Sequence, residues 1–133
     1  MRIGILLLLA LALVACRPAE SQGSRKASLG TPVTLAPGER AVFPDEHLEV
    51  QFVTVVSDSR CPSDTTCVWA GEVLVQLATR IDANQTQQEV VAGQGVEVGK
   101  YRISVLEVQP QPVSTRKIAP DEYRATLEVR PAG

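Results

Sequence analysis

The residues of this 133-residue chain whose types could carry chemistry are few: Cys16, Cys61, Cys67 and the single histidine, His47. Five residues separate Cys61 from Cys67, whereas a thiol–disulfide exchange centre calls for Cys-x-x-Cys. A zinc centre would need further ligands close by, and His47 stands apart in the polar turn Pro44-Asp45-Glu46-His47. No Gly-x-Ser-x-Gly elbow or phosphate loop occurs, and the acidic residues are scattered, so no nucleophile with its base and no carboxylate pair is nominated. The chain is therefore expected not to be an enzyme, with no catalytic residue, no metal and no cofactor. A formal net charge of -2 without a basic cluster gives no polyanion-binding surface, and nucleic acid is not an expected partner.

Cys16 belongs to a different kind of chemistry. Met1 and Arg2 form a short positive start, and Ile3 to Ala15 is an apolar run of thirteen residues interrupted only by Gly4. A membrane-spanning helix needs about 20 apolar residues, so the run has the length of a signal-peptide core instead. Leu13-Val14-Ala15-Cys16 resembles the bacterial lipobox, in which an apolar, a variable and a small residue precede a cysteine. That resemblance implies that residues 1–15 are removed as a signal peptide and that the Cys16 thiol carries a diacylglycerol, with palmitate among the acyl chains. Two or three chains hold firmly, because each buried methylene contributes about 0.8 kcal/mol. It also implies a partner, the membrane itself, and a place in the bacterial cell envelope. Arg17 follows the cysteine where an aspartate would favour the inner membrane, which points to the outer membrane, facing the periplasm. Residues 16–30, rich in Ser, Gly, Ala and charge, are expected to be the lipidated N-terminus and a flexible tether, with a reach of roughly 20 Å.

Behind these chemical positions stands a chain that alternates strand-like runs with turn signals and has no long helical period. Residues 31–133 are expected to be one β domain of about seven to eight strands, an antiparallel sandwich or a small barrel. Pro32–Leu35 and Arg40–Phe43 read as short edge pieces around Pro37-Gly38. Leu48 to Val56 should place Leu48, Val50, Phe52, Thr54 and Val56 on the core face. Trp69 to Ile81 should be a central strand with Val73, Val75, Leu77, Thr79 and Ile81 on one face. Gln87–Ala92 is weaker. Tyr101, Ile103 and Val105 share a face, as do Tyr123, Ala125, Leu127 and Val129. Gln109 to Glu122 contains Pro110, Pro112 and Pro120 and reads as a long exposed connection.

With Cys16 assigned to lipid, Cys61 and Cys67 remain as an even pair in an oxidising compartment. A structural disulfide is expected, with metal binding and catalytic redox as the alternatives. The stretch around them, Asp58-Ser59-Arg60-Cys61-Pro62 through Cys67-Val68-Trp69-Ala70-Gly71, resembles a D-S-R-C-P-x(4)-C-x-W-A-G signature of small bacterial secreted proteins and lipoproteins. The similarity extends over most of residues 31 to 130 and implies no established activity. Read physically, Asp58 and Arg60 pair or bond the loop backbone, Pro62 stiffens the loop, Trp69 covers the disulfide and Gly71 permits a close approach. Asp58, Arg60, Pro62 and Trp69 thus form either a braced corner or a binding corner. The leading functional expectation is a noncatalytic envelope module that binds another protein. The alternatives are an inhibitor of a hydrolase that presents the Cys61–Cys67 loop and, further off, an all-β enzyme or ligand carrier.

The anchor has a direct test. In expressing bacteria the wild-type chain should label with palmitate and partition into detergent, and Cys16→Ser should do neither; labelling of the variant would overturn the lipobox reading.

Overall fold

In the computed structural model, which describes residues 23–133, the expected alternation resolves into nine strands. They are β1 (Ser24–Lys26), β2 (Val33–Leu35), β3 (Arg40–Phe43), β4 (Leu48–Asp58), β5 (Val73–Ile81), β6 (Asn84–Val91), β7 (Gly95–Val98), β8 (Tyr101–Gln109) and β9 (Arg124–Pro131). One sheet has the order β1-β3-β4-β5-β6 and the other β2-β9-β8-β7. The two sheets pack on each other around a single core, so the sandwich is the architecture adopted, with no closed barrel among the described residues. The lipobox, the signal peptide and Cys16 lie outside the described residues.

The core is built from the inward rows that period two dictates. Leu48, Val50 and Phe52 of β4 and Val73, Val75 and Leu77 of β5 meet Tyr101, Ile103 and Val105 of β8 and Ala125, Leu127 and Val129 of β9. All are buried, each of the larger ones contributing about 1.5–3 kcal/mol relative to exposure. Both sheet ends are tied by a tyrosine, and these are the only two in the chain. The Tyr101 hydroxyl of β8 donates to Glu46, in the 3-10 turn Pro44–Glu46 that follows β3, at 2.5 Å. That hydrogen bond, with burial and the charges of Glu46 and Asp82, pushes the phenol up to about 12. Tyr123, just before β9, makes the corresponding tie at the other end.

Several expectations need correction. β4 slips register between Phe52 and Thr54 and again between Val55 and Ser57. Each extra residue reverses the facing of the residues after it. Val55 therefore packs against the core while Val56, expected inside, is 45% exposed. The second slip restores the original phase and sets Asp58 opposite Val73 in the inward row. A similar slip at Leu106 in β8 leaves that side chain 44% exposed and turns Val108 inward. β5 begins at Val73, not Trp69, and β6 starts earlier than expected, at Asn84.

The stretch assigned to a tether is folded from Ser24 onward. β1 pairs with β3 in parallel, Ser24 beside Arg40, so the sheets are not purely antiparallel. Ala27 and Leu29 pack on the core, and the Gly30 amide donates to Val129 at 2.8 Å. The reason is that an edge pairing needs only backbone groups: Ser24, Arg25 and Lys26 are all exposed and give no apolar signal. β7 escapes the sequence pattern likewise, its four residues lying where Gly93-Gln94-Gly95 and Gly99-Lys100 suggest turns.

Candidate functional site

The inward end of β4 delivers a carboxylate, not an apolar side chain, to the gap between the sheets. Asp58 Oδ1 accepts from the Arg60 backbone amide at 3.2 Å and from Arg60 Nε at 2.8 Å; Oδ2 accepts from Arg60 Nη2 at 2.7 Å and from the Tyr123 hydroxyl at 3.0 Å. Arg60 then crosses to the other sheet, where Nη1 donates to the Val108 carbonyl at 2.8 Å and Nη2 to Pro110 at 3.1 Å. The two side chains are only 12% and 13% exposed. A fork-shaped guanidinium suits this bidentate grip and has donors left for the carbonyls. Burial pushes the Asp58 carboxyl up, but the hydrogen bonds and charge of Arg60, with the Tyr123 hydroxyl, outweigh it and hold the group below its ordinary value. Burial first, and then the Asp58 hydrogen bond and charge, push Tyr123 up.

Ser59, between the two, closes the base of the following loop. Its amide donates to the Glu72 carbonyl at 2.8 Å, and its hydroxyl donates to the same carbonyl at 3.1 Å and accepts from the Glu72 amide at 3.0 Å. This brings the returning backbone so close that a Cβ on Gly71 would lie 1.9 Å from the Ser59 carbonyl oxygen, and Gly71 also has φ +65°. The expected close approach is therefore real, and glycine is required on both counts. Between these points Cys61 and Cys67 are joined in a disulfide with Cα atoms 5.9 Å apart. The loop leans on the proline-rich connection: the Ser63 amide donates to Pro112 at 2.9 Å, and Asp64 accepts from the Ser114 amide at 2.9 Å and its hydroxyl at 2.5 Å. Those Ser114 bonds hold the Asp64 carboxyl below its usual value.

Two loops that are separate in the sequence thus form one joined surface. Asp58 and Arg60 pair as expected, but as the brace beneath it, with their polar atoms already engaged. Pro62 is half-buried in the loop and its carbonyl accepts from the Thr65 amide at 3.1 Å. Trp69, expected to cover the disulfide, is 64% exposed and belongs to the surface; Val68 beside it is 94% exposed and Val113 of the neighbouring loop 38%. Val68 and Val113 are not singled out by the sequence; an apolar residue inside a loop otherwise made of Ser, Asp and Thr is the available signal. Alongside lies a cleft of about 470 Å³ between the end of β4 and the proline-rich connection. His47 sits at the opposite end of β4 in the left-handed region, φ 50°, where its carbonyl accepts from Asp82 at 3.0 Å. Among the described residues no three His, Cys, Asp or Glu side chains group to hold a metal ion.

The fold and site together define a two-sheet β sandwich with a disulfide-closed, hydrogen-bonded corner. No family model matches the chain, and neither does any curated protein or solved structure.

Gly71→Ala should destabilise the domain by about 2–4 kcal/mol in urea unfolding, since it adds both a backbone clash and a strained φ. The Asp58 brace should show in pH dependence. A carboxyl held below its ordinary value stabilises the fold fully above that value, about 4, and loses this contribution as pH falls through the lowered one. The stability gap between wild type and Asp58→Asn should therefore be widest near neutral pH and narrow below about pH 4; a gap independent of pH would contradict the brace.

Proposed function

We propose that this chain is a noncatalytic, lipid-anchored module of the bacterial cell envelope that binds another protein through the joined loops at the Asp58 end. The observation that carries the reading is the placement of exposed apolar groups. Of the five large hydrophobic side chains left exposed among the described residues, Val68, Trp69 and Val113 stand on these two loops, and Val56 lines the cleft beside them. Large apolar side chains left exposed on one pair of joined loops suit an interaction site, and tryptophan is over-represented among the residues that dominate binding energy. The support beneath is fixed by a disulfide, the Ser59–Glu72 clasp and the Asp64–Ser114 bonds, so little conformational freedom is left to lose on association. The polar atoms of Asp58 and Arg60 face each other and the backbone, which suits a support better than a reacting centre.

The envelope setting rests on the lipobox-like Leu13-Val14-Ala15-Cys16 and on the even cysteine pair that remains, both properties of the sequence. Inhibition of a hydrolase is the narrower form of the same reading, favoured by the covalent closure of the 61–67 loop, which suits a rigid insert.

The test is affinity capture from envelope extracts with the wild-type chain beside Val68→Ser/Trp69→Ala. The double variant should unfold at the same urea concentration as wild type and lose the recovered partner, with a loss of at least about 2 kcal/mol in binding once that partner is purified. Equal recovery by both chains would move the interface elsewhere, and no specific recovery by wild type would count against a binding role.

A further inference from the structure

The edge of the first sheet is incomplete beside this site. β3 is four residues long and β4 eleven. The pairing of β3 with β4 ends at Gln51, and backbone bonds from Gly38 and Glu39 extend cover only to Phe52. From Val53 to Asp58 the strand has β5 on one side and, among the described residues, no strand on the other. The cleft of about 470 Å³ touches five consecutive residues, Thr54 to Asp58. Successive side chains of a strand point to opposite faces, so a cavity that meets five in a row runs along the strand's edge. With β5 on the other edge, it is the unpaired one. The Val55 carbonyl there receives the hydroxyl of its neighbour Thr54 at 3.4 Å, a long contact.

The far wall explains why the chain does not close this edge itself. It is the proline-rich connection, and Pro112 and Pro120, which line the cleft, have no amide hydrogen to give to a ladder. Ile118 adds an apolar contact to that wall. Charge selects further. Arg116 is taken by Glu122, and Asp58 is taken by Arg60. Lys117, exposed on the same wall, has no carboxylate partner among the described residues.

We propose that an extended segment of the partner protein, apolar at alternate positions and carrying an acidic side chain, pairs with the unpaired edge of β4 in this cleft. The five open residues span roughly 17 Å, room for a strand of similar length, whose main-chain groups supply affinity and whose alternate side chains supply selectivity. A single segment fits better than a second copy of the sandwich, because the slot is walled on its far side by the chain's own loop. Lys117 meets the acidic side chain. This inference rests on the protein-binding reading and names the kind of partner it implies.

The experiment uses the full mature chain in detergent micelles and a random library of linear peptides displayed on phage, followed by hydrogen exchange with the selected peptides. The expected peptides alternate apolar residues with Asp or Glu, slow exchange of amides between Val53 and Asp58, and bind Lys117→Glu about tenfold more weakly. On that variant, peptides with Lys in place of the acid should recover binding. Peptides that protect only the Val68 to Val113 surface would overturn strand addition and leave the protein-binding reading standing. Protection of β4 with no response to Lys117→Glu would overturn the acidic segment. If no peptide is selected while a partner captured from envelope extracts still depends on Trp69, the extended segment is overturned and the broader reading survives; if that partner fails too, both fall.

Discussion

A carboxylate at the inward end of β4 and a guanidinium two residues later hold one end of this sandwich together. The pair is costly to bury: desolvating two charges is repaid only when geometry is good and the remaining donors and acceptors are filled. Here they are. Asp58 takes four hydrogen bonds, Arg60 spends its remaining reach on the Val108 carbonyl of β8 and the Pro110 carbonyl just after it, and no buried side-chain polar atom among the described residues lacks a partner. Hydrophobic contact tells the two sheets to pack but is indifferent to small sliding. The Arg60 bonds to Val108 and Pro110 fix where the ends of β4 and β8 stand relative to each other, and with them the loops that both strands release.

That arrangement depends on the two bulges of β4. A strand in strict alternation would carry Val56 inward and would still bring Asp58 to the same face, but without the added local twist that bulges give. The paired slips fall in the part of β4 that runs beyond the end of β3, and together they keep Asp58 in phase with Val73. The slips, the short partner strand and the open cleft thus share one stretch of β4. Tyr123, just before β9, and Tyr101, at the start of β8, repeat the device at opposite ends, one reaching Asp58 at the end of β4 and the other Glu46 in the turn after β3.

Much of this is legible in the sequence. Alternation identifies β4, β5, β8 and β9 and the inward rows of the last three, because buried faces impose period two on side-chain type. The disulfide and the Asp58–Arg60 pair follow from cysteine count and from spacing. The features that escape fall into two physical groups. β1 and β7 are held by backbone bonds with little apolar burial, so their side chains carry no pattern. The Tyr123–Asp58 and Tyr101–Glu46 ties and the joining of two loops through Asp64 and Ser114 depend on residues 65, 55 and 50 apart in the chain, and the bulges on the register of neighbouring strands, neither of which one sequence signals. Trp69 stands out by its type, but its exposure is not readable, since a tryptophan beside a disulfide reads equally well as a lid.

The covalent bond of this domain joins residues only six apart, inside one loop, and crosses neither sheet. The links that span the sheets are reversible: a core, two tyrosine ties and an arginine. Assembly of the sandwich and presentation of its surface are consequently separate events, with different requirements. The first draws on the core and the hydrogen bonds between the sheets; of the links that shape the surface, only the Cys61–Cys67 bond needs an oxidant. A copy whose thiols stay reduced would keep every link that spans the sheets and lose only the covalent closure of the 61–67 loop.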